Sequence, residues 1–186
     1  MDALSFFHLH HGRVHSSKVS SVSSIADQVF AGLTDDQMRV RPGPGLNSLV
    51  WLVWHMARVE DVGVNLVVAG GRQVLDDGWA SRLGIDRTDV GTGMTEEELS
   101  QFAARADIVA VRAYRDAVGL RTREVVATLA PGRWMEPMDA RRAPAWFRVF
   151  DGQPRALELG TSAITHNAMH LGEAVTIRSL LGGAPS

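Results

Sequence analysis

Two histidines four residues apart, His166 and His170, give the strongest chemical signal in this sequence. They lie within a long apolar stretch that has helical periodicity. On a helix of about 3.6 residues per turn, positions i and i+4 lie one above the other on the same face. Both imidazoles can therefore reach one metal ion, although the same spacing also occurs in helices whose histidines bind nothing.

A third histidine, His55, lies in the most apolar segment of the chain, next to Trp51 and Trp54. A buried imidazole needs a partner for each ring nitrogen, because an unpaired polar group in the interior costs about 1 to 3 kcal/mol. That partner is either a metal ion or a backbone carbonyl or buried water. Together the three histidines would form a three-nitrogen site with open positions, as catalytic metal sites have. The chain has no cysteine, so thiolate ligands are excluded.

Three acidic residues lie near these histidines in the sequence. Glu173 follows His170 by three residues and shares its helical face, so its carboxylate is a candidate to orient an imidazole, assist proton transfer or become a fourth ligand. A salt bridge between Glu173 and a neighbouring arginine is the alternative. Glu60 and Asp61 follow His55 by about one turn, and we expect both to point into solvent, as charges near helix ends usually do.

A second group of histidines occupies the N-terminus. Its members are His8, His10, His11 and His15. We interpret residues 1–15 as a solvated or partly frayed extension of a single domain that spans residues 1–186, because chain ends are commonly poorly ordered. Adventitious metal binding by these histidines is the alternative.

Long helices are predicted to position the candidate ligands. Apolar residues recur at intervals of three and four over residues 16–33, 47–69, 106–129 and 155–181. Thr95 is predicted to cap a further helix, with acidic residues in its first turn. The last helix is expected to stop at Gly182 and Gly183. Breaks rich in glycine, proline and aspartate separate these segments, which indicates an all-α bundle with connections of unequal length.

Two of the connections are long. Residues 72–94 have a weak pattern with room for a helical turn. Residues 131–156 contain four prolines together with Trp134 and Trp146, and we predict that they form a long loop over the end of the bundle, as a crossover or a lid.

Composition narrows the possible functions. The chain has 186 residues, 45% of them hydrophobic, and a formal net charge of -2, which indicates one globular domain. Acidic and basic residues are mixed along the chain and form no basic stripe. We therefore do not expect nucleic acid as a partner. The sequence has neither a signal peptide nor an apolar run of about 18 residues, and we therefore expect a cytoplasmic protein with no membrane partner.

The residues around the histidines carry a family resemblance. The segments concerned are Leu33–Gln37, Arg41–Leu49, Trp54–His55, His166–Glu173 and Leu180–Gly182. In these segments, and over most of its length, the chain resembles the DinB-like superfamily. The family pattern usually has Gly-Gln after the histidine pair, whereas this sequence has Gly172-Glu173.

The resemblance implies more than the spacing does. It implies a DinB-like four-helix bundle with long crossover connections, a divalent ion such as zinc or nickel on His55, His166 and His170, and a homodimer. Similar proteins include enzymes that use the thiols mycothiol or bacillithiol, such as maleylpyruvate isomerase and S-transferases.

Three functions are compatible with these patterns. The first is a metal-dependent enzyme that activates a low-molecular-weight thiol or a water toward a small-molecule electrophile. The second is a non-catalytic metal-binding or ligand-binding bundle with a structural ion. The third is a bundle without metal, in which the histidines are packed and hydrogen-bonded. The sequence does not distinguish the first two.

Overall fold

The chain folds into helices. The computed structural model describes residues 1–182, in which the backbone forms nine α-helices and no strand beyond an isolated bridge between Pro137 and Pro154. The helices are α1 (Ala3–Val14), α2 (Ile25–Phe30), α3 (Asp35–Arg39), α4 (Leu49–Glu60), α5 (Trp79–Arg82), α6 (Glu96–Arg105), α7 (Ile108–Ala127), α8 (Arg155–Gly160) and α9 (His166–Leu180). The prediction of an all-α bundle is confirmed.

Two long helical stretches contain π-helical segments. Helix α4 continues without a break into a first π segment, Asp61–Val68, and α8 continues through a second π segment, Thr161–Thr165, into α9. The predicted helices over 47–69 and 155–181 therefore match continuous helical backbone. Helix α9 ends at Leu180, and Gly182 has the positive φ that favours glycine after a helix. Gly183, the second residue of the expected stop, lies outside the described residues.

Helix α4 lies at the centre of the bundle. It packs against α7, α9, α3 and α6, and its apolar side chains are buried except for Val59, with Trp54 and Met56 fully enclosed. Ser48 begins the helix by accepting a hydrogen bond from the amide of Trp51. A helix that is apolar on every side belongs in the interior, as the sequence indicated.

The remaining sides of the bundle come from distant parts of the chain. Helix α7 packs along α4, and α8 with α9 form the third side. The fourth side is divided between α1 and α2, which both contact α9. The predictions of a helix over 106–129 and of a helix capped by Thr95 agree with α7 and α6, and Thr95 forms a capping box with Glu98.

The predicted helix over residues 16–33 is wrong. Residues 15–24 form turns, bends and irregular backbone, and within the predicted range only α2 (Ile25–Phe30) is helical. Serine explains the difference, because its hydroxyl competes for backbone amides. The Ser16 hydroxyl accepts a hydrogen bond from the amide two residues later, and the Ser24 hydroxyl caps α2.

The interpretation of the N-terminus as a frayed end is also wrong. Residues 3–14 form α1, which Asp2 caps by accepting a hydrogen bond from the amide of Ser5 at 2.7 Å. The helix packs against α7, α9 and the second π segment. His11 and His15 consequently have no exposed surface.

Glu60 and Asp61 do not point into solvent either, since both are fully buried. The expectation failed because the helical stretch does not end near them but continues as the first π segment. Asp61 accepts hydrogen bonds from Arg58 and Tyr114. Buried carboxylates survive only with such partners.

The loop over residues 131–156 contains two 3-10 helices, Pro131–Met135 and Ala145–Phe150. Trp134 is buried and meets Phe7 of α1 edge-on, with ring centroids 6.0 Å apart. Trp146, in contrast, is 67% exposed. Within the described part of the chain, no helix combines the length and the apolar character that crossing a membrane requires.

Candidate metal centre

The fold brings three histidines together between α4 and α9. His55 comes from α4, and His166 and His170 come from successive turns of α9. Nε2 of His55 lies 3.2 Å from Nε2 of His166, and one ring nitrogen from each histidine lies within 4.8 Å of the others. Such a group is compact enough for one ion at the usual metal-nitrogen distance of about 2.0 to 2.1 Å.

Hydrogen bonds fix the tautomer of two of these rings. Nδ1 of His55 donates to the backbone carbonyl of Val90 at 2.5 Å, and Nδ1 of His170 donates to Oε2 of Glu173 at 2.8 Å. In the neutral form of either ring the single proton then lies on Nδ1, and Nε2 carries the lone pair that a metal would bind. Carbonyl and carboxylate acceptors hold the outer nitrogen of metal-binding histidines in the same way.

His166 completes the group, but no hydrogen bond within the described chain orients its outer ring nitrogen. Its Nδ1 is buried and has no hydrogen-bond partner among residues 1–182, while its Nε2 faces the lone pair of His55. Burial lowers the pKa of His166 to about 3 and that of His55 to about 4. Both rings are therefore neutral at pH 7, which is the state that binds a metal. The donor set thus fits a divalent transition ion.

Glu173 is fixed from two sides. Oε2 accepts the bond from His170, and Oε1 accepts a bond from the side-chain amide of Asn47 at 2.8 Å. The hydrogen bond from His170, first among several causes, lowers the pKa of Glu173, so the carboxylate is ionised at neutral pH. Its partners are thus an imidazole and an amide, and not the arginine that the sequence offered as an alternative.

The carbonyl that orients His55 is itself held by a buried arginine. Arg58, one turn after His55 on α4, donates to the carbonyls of Thr88 and Asp89 at 2.6 and 3.1 Å. These residues directly precede Val90. Arg58 therefore fixes the connection that carries the acceptor of His55.

Solvent reaches the histidines from one side. His55 is buried and stacks on Trp51 with ring centroids 4.4 Å apart, whereas His166 and His170 are only partly buried. Met169, between them on α9, is 64% exposed. A ligand can therefore approach the group along the outer face of α9.

Sequence reasoning did not find Asn47, Arg58 or Val90. Arg58 carried a detectable signal, because a polar residue in an apolar segment requires partners. Asn47 carried none of this kind, since it lies in the break before α4, where polar residues are common. Val90 carried none, since it acts through a backbone carbonyl that every residue has.

Comparison with known proteins now gives the family. Residues 22–174 match the model of the DinB superfamily, a range that includes all three histidines. This chain belongs to the DinB superfamily. The structure of this DinB protein is also similar to the crystal structure of a conserved protein from Enterococcus faecalis, with a TM-score of 0.71, 20% identity and 99% of both chains covered. At that identity the likeness shows the fold alone. A comparison with curated proteins gives no match.

Proposed function

We propose that this protein is a metal-dependent enzyme that activates a low-molecular-weight thiol, of the mycothiol type, or a water toward a small-molecule electrophile. The observation that carries the proposal is the group of three imidazoles, two of them held in a defined tautomer by hydrogen bonds at Nδ1, with His166 and His170 only partly buried. A divalent ion held by His55, His166 and His170, zinc or nickel, would supply Lewis acidity that lowers the pKa of a thiol or water.

The chain's own residues have separate tasks in this proposal. Val90 and Glu173 keep the Nδ1 protons of His55 and His170 in place, which directs both Nε2 lone pairs into the group. Glu173 is ionised, so its carboxylate orients the ring of His170 and is a candidate to accept a proton from the bound thiol or water. The sulfur must come from a separate thiol, because the chain has no cysteine.

Other parts of the proposal rest on the family resemblance and on composition. They are a homodimer in solution and a cytoplasmic location with neither nucleic acid nor membrane as partner. Gel filtration with light scattering measures the oligomeric state directly.

The test combines metal analysis with a thiol assay on untagged protein, since a tag brings its own histidines. Conjugation of monochlorobimane is followed with mycothiol, bacillithiol and glutathione, for the parent and for His55→Ala. We expect metal-dependent conjugation with at least one thiol, lost in His55→Ala and kept in His10→Ala, whose histidine is exposed on α1. Failure of the zinc-loaded and nickel-loaded parent with every thiol would refute the thiol-transfer function.

A second candidate is a structural metal without catalysis. It is favoured by the positions of the ligands, because His55 and His166 come from two helices separated by 111 residues in the chain. An ion between them would hold α4 against α9 and contribute its binding free energy to folding. In that case chelation lowers the melting temperature while no thiol assay gives activity. An unchanged melting temperature after chelation would exclude this role.

A further inference from the structure

A second group of possible ligands lies inside the bundle, apart from the histidine triad. It consists of His11 and His15 at the end of α1 and Glu60 at the end of α4. One ligand atom from each lies within 4.8 Å of the others, and all three side chains have no exposed surface. Nε2 of His11 lies 2.9 Å from Oε1 of Glu60, and Nε2 of His15 lies 3.8 Å from Oε2.

Ring nitrogens in this group lack partners. Among residues 1–182, Nδ1 of His11 and both ring nitrogens of His15 are buried without a hydrogen bond. Each such atom costs about 1 to 3 kcal/mol, so a fully buried histidine with two of them needs a physical explanation. An ion bound to one nitrogen of His15 would supply one missing partner.

The structure keeps space for the ring of His15. Gly119 of α7 faces it, and a Cβ atom at that position would lie 2.5 Å from Cε1 and Nε2 of the imidazole. Only glycine, which has no Cβ, allows the ring this close to α7. His15 is therefore built into the core and not trapped there by chance.

Two further residues hold the carboxylate of Glu60. Thr122 of α7 donates to Oε1 at 2.7 Å, and the side-chain amide of Asn167 of α9 donates to Oε2 at 3.0 Å. A ligand fixed by neighbours in this way loses little freedom when it binds an ion. Each oxygen still has a lone pair for a metal, since a carboxylate offers about four acceptor positions.

We propose that His11, His15 and Glu60 form a second, buried site for a divalent transition ion. Two imidazoles and a carboxylate are the ligands of His2Glu zinc sites and of two-histidine, one-carboxylate iron sites. Calcium and magnesium fit poorly, because they require several oxygen ligands and the group has one carboxylate. The guanidinium of Arg115, which donates to the carbonyl of His15, also places a positive charge nearby, so binding depends on the directional bonds of the imidazoles.

The two sites would hold separate ions. His55 and Glu60 are five residues apart on α4, which places them about 7.5 Å apart along the helix axis. Ions that share ligands in dinuclear centres are only about 3.5 to 4 Å apart. Both sites nevertheless involve α4 and α9. Helix α4 carries His55 and Glu60, and on α9 the residue that donates to Glu60, Asn167, directly follows His166.

The test uses full-length, untagged protein that is expressed in zinc-supplemented medium and desalted before metal analysis. The variant His55→Ala/His166→Ala/His170→Ala removes every ligand of the triad. We expect about two equivalents of zinc in the parent and about one in this triple variant. Adding His15→Ala removes the remaining equivalent, whereas adding His10→Ala, an exposed histidine of the same helix, keeps it.

Two controls distinguish the loss of a metal ligand from a failure of the variant to fold. Circular dichroism reports the helix content of every variant, and Glu60→Gln replaces His15→Ala as a ligand change of nearly equal volume. Cobalt titration of the triple variant needs no core substitution, and a bound ion is expected to give the visible d-d bands of low-coordinate Co²⁺. A triple variant with helix content like the parent's, no zinc and no cobalt bands overturns the proposal, as does zinc content that His15→Ala and Glu60→Gln leave unchanged.

Discussion

The two histidine groups of this protein differ in what surrounds them. The triad on α4 and α9 is partly exposed, consists of imidazoles alone, and has its outer N-H groups on two rings satisfied by Val90 and Glu173. The group at the end of α1 is closed from solvent, includes the carboxylate of Glu60, and leaves ring nitrogens unpaired. Both groups have two histidines four residues apart and a third residue from α4.

Under the two proposals above, the two groups have different tasks. Open coordination positions and access for a ligand are the properties of a catalytic metal site, and only the triad has that access. A closed group whose carboxylate is bound by α7 and α9 contributes mainly to the stability of the bundle. Substitutions in the triad should therefore mainly lower catalytic activity. Substitutions in the buried group should mainly lower the free energy of unfolding.

The largest expected effect is on stability and comes from the buried group. In metal-free protein, Glu60→Ala leaves the hydrogen-bond donors around the carboxylate unpaired, and we expect the free energy of unfolding to fall by about 3 to 5 kcal/mol. Glu173→Ala, at the partly exposed triad, should lower it by about 1 kcal/mol or less. Urea unfolding followed by circular dichroism measures both. An equal loss of unfolding free energy in the two variants would contradict the proposal that the buried group stabilises the bundle more than the triad does.

A smaller effect is expected on metal affinity at the triad. Glu173→Gln keeps the shape of the side chain but removes the charge that supports His170, and we expect zinc affinity to fall about 10- to 100-fold. Competition with a chelating dye measures the change without knowledge of the substrate. Glu124→Gln on α7 is the matched control, because Glu124 is exposed and its carboxylate accepts a hydrogen bond from Arg121, far from the triad in the chain. If both variants bind zinc as the parent does, Glu173 has no orienting role.

The smallest effect is a pH dependence of stability. Burial lowers the pKa of His55 to about 4 and that of His166 to about 3, whereas an unfolded histidine titrates near 6.5. Between pH 6.5 and about 4 the unfolded chain binds more protons at these residues, so their contribution to stability falls as the pH falls. Glu158, whose pKa is raised by burial to about 7, contributes with the opposite sign.

The pH effect is therefore measured as a difference between proteins. Urea unfolding of the metal-free parent and of His55→Asn/His166→Asn at pH 7.5, 6 and 5 isolates the two histidines. We expect the parent to lose more stability than the variant between pH 7.5 and 5. Parallel losses would mean that the imidazoles of the triad are not protected from protonation by the fold.

Much of the bundle was predictable because its signals are local. Helix α4 is apolar almost all round, Thr95 begins α6 with a capping box, and the spacing of His166 and His170 places both on one face of α9. These features depend on residues within a few positions of one another. The sequence therefore predicted the central helices and identified the three histidines that lie together in the fold.

The errors arose where distant parts of the chain decide the outcome. Glu60 resembles a charge at a helix end, and only the packing of α1, α7 and α9 around it shows that it is buried. In the same way, the histidine-rich N-terminus resembles a frayed chain end in the sequence, and only its packing against other helices shows that it is ordered. In residues 15–24 the apolar spacing was outweighed by serine hydroxyls that bind backbone amides.

The most direct test of the metal-binding triad is an anomalous difference map. Crystals of untagged protein are reconstituted with zinc and measured on both sides of the zinc absorption edge. The account predicts a peak about 2.0 to 2.1 Å from Nε2 of His55, His166 and His170, which is the usual zinc-nitrogen distance. A map without a peak between these three nitrogens, from protein reconstituted with excess zinc, would contradict it.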